Sequence, residues 1–520
     1  MARRLCKINQ ISFGTEKRMR IFALKRINRA LKPRLFYVGL NLKFATEIKA
    51  MDEEFDWQQD GEIGELVSRF EALLKSGDGH FFDVEEFEAI IDYYLDVQQT
   101  GMTRTAIEWA EAQHPGSNSF KIREARLLTQ EAKYNQALKI LNDLDEVEKG
   151  NEELYYAKAD IYSLMDKHQE AIDAYKKVLD TAERPEEILS SIAYEYESLN
   201  DYPNALRYLT KALELQPESE DLIQETAFFF ELTGHEEEAI EFFGNFLDRH
   251  PYSKFAWFNL GIFYSNVELY EKAIQAYEFV VAIDDEFASA YFNMANAYTN
   301  MHQYRKAISL YEETLKLEKP DAITFCYIGE SWENLDDLEK ALVYYNRALD
   351  LDDKLADAWG GVARIFVRQN MEKTAIKYYE KAIQLAPAQE DLKFELAVLL
   401  LRNNQLDKAA GLFKEVVNHN VNYVEAWLNY SLVLALQERF SEAISLLGKA
   451  MKENPGEARI LYRRAGYLYR TGNVEEAYFN IEKAVQLNFD EHEELLHYLP
   501  ELIEDPRFVE ILDLYKKPNS

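Results

Sequence analysis

Cysteine is nearly absent. Only Cys6 and Cys326 occur in 520 residues, far apart and in unlike contexts. No disulfide framework is possible, and the usage points to a reducing, cytoplasmic setting. Proline and glycine are also scarce, at 12 and 20, which excludes collagen-like and low-complexity architectures and leaves an ordered, largely helical body. No apolar run approaches the length of a membrane span, so no membrane insertion is expected.

Positive charge is the next shortage, with 59 Lys and Arg against 92 Asp and Glu. It is also unevenly placed. Residues 1–50 hold 13 basic and 2 acidic residues, leaving 46 against 90 in residues 51–520, or net charges of +11 and −44. A body this acidic repels phosphate backbones and anionic membranes, which excludes nucleic acid as a partner and favours proteins with basic patches. Residues 1–50 are Arg-rich and poor in acid. They read as a basic extension, disordered or outside the mature protein with Met51 as the true start; the alternative is an organelle transit segment.

Chemistry-bearing motifs are missing too. No phosphate-binding or dinucleotide glycine loop, nucleophile elbow or Cys/His metal spacing occurs, so neither cofactor nor enzymatic activity is expected. Two partial matches fail, one on its ligands and one on its spacing. SGDGHFFDVEEF (76–87) lacks the carboxylates that a calcium loop needs at its first and third positions. HEELLH (492–497) sets its histidines five apart rather than four, on different sides of a helix.

What the chain does have is a period. Ala137, Ala171, Ala205, Ala239, Ala273, Ala307, Ala341, Ala375, Ala409, Ala443 and Ala477 recur every 34 residues without a break. Numbering each unit so that this alanine is position 20, position 8 is always Ala, Gly or Ser, from Ala125 to Ala465. Position 24 is always large and apolar or aromatic, from Leu141 to Ile481. Positions 4, 7, 8 and 11 share one helical face, as do 20, 24 and 27, with a turn near 14–16. Each unit is therefore a helical hairpin whose small residues let two helix backbones approach. Proline at position 32, in Pro217, Pro251, Pro387 and Pro455, stops the second helix.

WFNLGIFYSNVELYEKAIQAYEFVVAIDD (257–285) and WGGVARIFVRQNMEKTAIKYYEKAIQLAP (359–387) resemble the tetratricopeptide repeat. The resemblance spans eleven units, residues 118–491. It implies an all-α solenoid, a right-handed superhelix of more than one turn with the first helix of each hairpin lining the concave side. Residues 51–117 are expected to form an N-terminal helical cap, including a degenerate hairpin at 82–115 with Ala106 in place of position 20, three residues out of register. Residues 492–520 supply C-terminal capping helices, because a solenoid must cover its last apolar face.

The lining positions 2, 6, 9 and 13, with their edge, divide into three zones. Units from 152 to 253 supply Glu153, Asp160, Glu187, Glu197, Asp221, Glu225 and Glu231. Units from 254 to 355 supply Asn259, Asn266, Asn293, Asn296, Asn300 and Asn334, and those from 356 onward Arg364, Arg368, Arg402, Arg459, Arg463 and Arg470, with Asn429 among them. Asparagine is a poor helix-interior residue, so a row of it needs a reason. One reason is binding, since an amide carries donor and acceptor for an extended backbone. Position-6 asparagines line the grooves of some relatives; here Asn259, Asn293 and Asn429 fit, and Tyr327, Gly361 and Glu395 interrupt the row. The Lys–Asn carboxylate clamp of other relatives is absent. The arginines remain able to take acidic side chains or a terminal carboxylate. The expected function is a non-enzymatic scaffold binding an extended or acidic segment of another protein along the groove. The alternative is an assembly or docking protein that self-associates or meets basic patches through its acidic outer surface or end caps, with the groove empty.

Overall fold

The structure, a computed structural model, describes residues 61–76 and 81–515, and these divide into two compact units between Asp284 and Asp285. The expected extension at 1–50 lies outside the described residues. No strand occurs among the described residues, and no helix there is long and apolar enough to cross a membrane.

In the first unit, α1 (Gly61–Ser76) precedes six hairpins. They pair α2 (Val84–Asp96) with α3 (Thr100–Gln113), α4 (Asn118–Gln130) with α5 (Tyr134–Asp145), and α6 (Glu152–Leu164) with α7 (His168–Lys176). The next three pair α8 (Pro185–Ser198) with α9 (Tyr202–Leu215), α10 (Glu220–Thr233) with α11 (Glu236–Arg249), and α12 (Lys254–Asn266) with α13 (Tyr270–Ile283). The second unit has six more. α14 (Ala288–Asn300) pairs with α15 (Tyr304–Leu317), α16 (Ala322–Asn334) with α17 (Leu338–Leu351), and α18 (Ala356–Arg368) with α19 (Glu372–Leu385). α20 (Glu390–Arg402) pairs with α21 (Leu406–His419), α22 (Val424–Leu436) with α23 (Phe440–Glu453), and α24 (Ala458–Arg470) with α25 (Val474–Leu487). α26 (His492–Tyr498), a 3₁₀ turn (Pro500–Glu504) and α27 (Pro506–Tyr515) close the chain.

The eleven position-20 alanines are all fully buried, and the facing position-24 side chains are at most 5% exposed. Their fit is tight enough to demand glycine. A Cβ on Gly261 would lie 2.4 Å from the ring of Tyr277, and one on Gly329 2.9 Å from that of Tyr345. Every first helix ends the same way. Position 15 is left-handed in each hairpin, from Gln98 (φ 57°) through Asp336 (φ 66°) to Gly472 (φ 82°). The next amide then reaches back to the carbonyl of position 11, as in Asp337 N to Trp332 O at 3.0 Å, which completes a Schellman cap. The second helices α9, α11, α19 and α23 each end two residues before a position-32 proline.

The first hairpin corrects one expectation. α2 starts 34 residues before α4, and Gln98 holds the left-handed place, so the hairpin is in register. Position 20 is Thr103, not Ala106. Its hydroxyl donates to Gln99 O at 3.0 Å, which lets a polar residue be fully buried there. At the ends, Phe70 of α1 packs edge-on against Phe82 and Phe87. Leu495, Leu499, Leu502 and Phe508 cover Leu461, Tyr478 and Ile481 of the last hairpin.

Within the second unit each second helix packs on the next first helix, and first helices also touch one another, α16 with α18, α20 with α22 and α22 with α24. That crowding places the first-helix face on the inner side of the stack.

Candidate functional site

Five of the asparagines share one geometry. Asn293 donates its Nδ2 to Ser289 O at 2.8 Å, Asn429 to Glu425 O at 2.8 Å, Asn300 to Asn296 O at 3.0 Å and Asn334 to Glu330 O at 2.9 Å. In the first unit Asn259 does the same to Phe255 O at 2.8 Å and is only 8% exposed, while Asn266 is half-buried at the end of α12. Each of these five bonded amides thus reaches the carbonyl one turn back on its own helix, which offsets its poor helix propensity and fixes its rotamer. One amide hydrogen is used in this way; a second hydrogen and the Oδ1 belong to the remaining capacity of the group. Asn296 is different, because its Oδ1 accepts the Tyr311 hydroxyl at 2.6 Å.

The interruptions of the row have a physical cause in the second unit. Position 6 meets the position-24 side chain of the preceding hairpin. Tyr327 stacks on Tyr311, with centroids 5.8 Å apart and planes within 10°. Gly361 makes room for Tyr345, whose Cζ would be 2.3 Å from an added Cβ. Glu395 takes a hydrogen bond from the side chain of Tyr379.

The arginines do not form the basic strip that their order in the sequence suggests. Arg364 lies across Glu333, with Nε to Oε1 at 3.0 Å and Nη2 to Oε2 at 3.2 Å, and its Nη1 is 3.7 Å from Glu395 Oε2. The Tyr345 hydroxyl donates to Glu333 Oε2 at 2.7 Å. Glu333, Arg364 and Glu395 therefore form a diagonal ladder over α16, α18 and α20. Burial works against the Arg364 charge, and Glu333, Tyr345 and Glu395 outweigh it. Burial pushes the Glu395 carboxyl above the usual glutamate range, with Arg364 pulling the other way. Arg368 pairs with Asp336, and Arg459 bonds Glu457 and Glu425, each at 2.8 Å. Arg463 is 7% exposed. Arg470 is exposed. Arg402 is exposed as well and, among the described residues, makes no ion pair.

Residues of α16, α18, α19 and α20 together line an open cavity of about 270 Å³. Glu333, Arg364, Arg368, Glu395 and Arg402 give it a charged side; Val367, Phe394, Val398 and Leu399 give it an apolar one. The Phe394 ring is held by stacking on Tyr423 at 4.9 Å and by an edge contact with Phe413.

In the first unit the acidic lining is partly tied down. Arg123, 6% exposed, holds Asp92 at 2.7 Å, Glu153 at 3.3 Å and Glu88 at 3.4 Å. A feature missed from sequence lies at the hairpin α12–α13. Pro251, Tyr252, Trp257, Phe279, Ala282 and Ile283 line an open apolar hollow of about 530 Å³. Trp257 and Phe279 stack at 4.3 Å, and Tyr252 is 85% exposed. The signal was present, since position 26 is polar or charged in the other ten units, as in Lys211, Glu313 and Lys381.

No cluster of His, Cys, Asp or Glu able to hold a metal occurs among the described residues. A stack of helical hairpins with a polar inner face defines a repeat scaffold, the class of protein that presents surface to other proteins. Models of the tetratricopeptide repeat match residues 152–184, 186–219, 256–287, 288–321, 369–429 and 434–494. The chain belongs to the tetratricopeptide repeat proteins, a family of protein–protein interaction scaffolds that is generally non-enzymatic. Among solved structures it is similar to the Cut9–Hcn1 hetero-tetramer of the APC/C, at 14% identity and a TM-score of 0.40, over 80% of this chain and 95% of that one. YrrB, described as having an unusual peptide-binding site, matches at 19% identity and a TM-score of 0.28 over 35% of this chain and 95% of its own. The C-terminal part of a repeat protein from Cytophaga hutchinsonii matches at 20% and 0.37, over 49% and 99%. A search of curated proteins finds no match.

Proposed function

We infer that the chain is a cytoplasmic, non-enzymatic scaffold that holds an extended segment of a partner protein along its first-helix face. The observation that carries this is the cavity between α16, α18 and α20, a hollow that hairpin packing does not need and that combines fixed charges with an apolar wall. The asparagines support it: with one hydrogen bonded to the helix, Asn293, Asn334 and Asn429 are oriented groups whose remaining capacity suits a peptide backbone. The test is affinity capture with the full chain and with an Asn293→Ala, Asn429→Ala, Arg402→Ala variant. A partner kept by the first and lost by the second supports the groove. Identical partners on both refute it.

A second reading rests on a different observation. The Tyr252, Trp257 and Phe279 hollow exposes aromatic surface where, at the place of Phe279, sister units carry a polar or charged residue. In this reading the protein docks or self-associates through its outer surface, and Phe279→Lys abolishes association that groove substitutions leave intact.

A further inference from the structure

The groove reading leaves open what the cavity selects, and the inference here rests on that reading. We propose that the cavity is a side-chain subsite for one acidic residue next to one large apolar residue, carried by an internal, extended segment of a partner protein. Arg402 is the group that takes the carboxylate.

Three guanidinium groups face the cavity, and they are not equivalent. Arg364 is held by Glu333, the Tyr345 hydroxyl and Glu395, and Arg368 is engaged by Asp336 and Glu333 O. Neither has a charge left to complement. Arg402 sits at the C-terminal end of α20, exposed, with no ion pair among the described residues. An exposed guanidinium at a cavity rim offers a forked donor set that matches a carboxylate.

The rest of the cavity narrows the ligand. Val367, Phe394 and Val398 offer apolar contact beside Arg402, and the Phe394 ring is fixed by Tyr423, so an apolar neighbour of the acid meets a rigid wall. Polar lining continues on both sides, with Asn334 on α16 and Asn429 on α22, so the occupant runs through instead of ending. The net charge of −44 over residues 51–520 disfavours a run of acids. One carboxylate in an otherwise neutral or basic stretch fits both the local and the global charge. In this arrangement Arg364 is a positioning residue, holding Glu333 and Glu395 apart and in place.

The probe is a library of random twelve-residue peptides displayed on phage with both ends blocked, selected on the full chain and on Arg402→Ala, with winners resynthesised and titrated by fluorescence anisotropy. The expected winners place Asp or Glu beside Leu, Ile, Met or Phe. They lose about tenfold to a hundredfold in affinity on Arg402→Ala, as expected for a lost charge-assisted hydrogen bond, and bind equally with a free or an amidated C-terminus. Arg402→Glu should select Lys or Arg at the same place. Winners without an acid, or with unchanged affinity on Arg402→Ala, overturn the subsite. If such winners still fail on Asn334→Ala plus Asn429→Ala, the groove reading survives without it. Winners indifferent to all these substitutions, or no winners, overturn both. Dependence on a free C-terminus overturns the internal segment in favour of a terminal carboxylate. Because Arg402 makes no ion pair among the described residues, its variants should melt with the parent chain, so a binding loss is not a folding loss.

Discussion

Adding one methyl group at Gly361 should unsettle both the stack and the cavity. The Tyr345 ring is fully buried between Gly329 of its own hairpin and Gly361 of the next, and a Cβ at 361 would stand 2.3 Å from Cζ and 2.5 Å from Cε1. The ring must shift, an overpacking cost of about 1–3 kcal/mol. Its hydroxyl then leaves Glu333, at about 1 kcal/mol more. Against this stands a gain of about 1 kcal/mol for replacing a mid-helix glycine by alanine. The balance is a loss of about 1–3 kcal/mol. Gly411 on α21 is the control. It is exposed with nothing within 4 Å of an added Cβ, so Gly411→Ala should gain about 1 kcal/mol. Urea unfolding followed by tryptophan fluorescence and far-UV circular dichroism reads both, and Trp359 reports from the same helix as Gly361. Midpoints should be compared at matched slopes, since long repeat arrays depart from two-state behaviour. A Gly361→Ala midpoint at or above that of the parent chain refutes the account of why position 6 is glycine here.

Two further predictions concern backbone and pH. Ala132 and Glu268 hold the left-handed turn at φ 58° and 62°, so Ala132→Gly and Glu268→Gly should each stabilise by about 1 kcal/mol, and Gly234→Ala (φ 69°) should destabilise by a similar amount. Thermal melts showing no gain at the first two positions would remove the strain argument. Glu395 is raised above the ordinary value of 4.5 by burial, so its ionisation is harder in the fold than in the unfolded chain. The favourable term is complete below pH 4.5 and is lost as pH rises through the raised value. Glu395→Gln should therefore raise the melting temperature at pH 7 and leave it unchanged at pH 4. An equal difference at both pH values contradicts the sign.

The fold was legible because one small and one large residue recur at fixed places: Ala341 and Tyr345 mean the same thing in every unit. The first hairpin was harder to read. Ile91 occupies the small place at position 8 and Thr103 the alanine place, and only the hydroxyl bond to Gln99 O reconciles the latter with burial. At the lining, residue types were visible and their partners were not. Glu333, Arg364 and Glu395 are spaced by 31, one turn less than the repeat, a diagonal that no rule within one helix reveals. The interruptions at Tyr327, Gly361 and Glu395 follow tyrosines 16 residues earlier, yet Asn293 follows Tyr277 at the same spacing, so the spacing alone does not decide which residue stands at position 6. The Phe279 hollow needed only a comparison of position 26 across units.

The most direct test of the central claim is photo-crosslinking from two places. A benzophenone amino acid replaces Val398 in the groove in one variant and Phe279 on the outer surface in another, each is irradiated with the captured partner, and the joined peptide is identified by mass spectrometry. A segment held in the groove gives a crosslink from position 398 to an internal stretch of the partner and none from position 279. A crosslink from position 279 alone would contradict it and move the binding function to the outer surface.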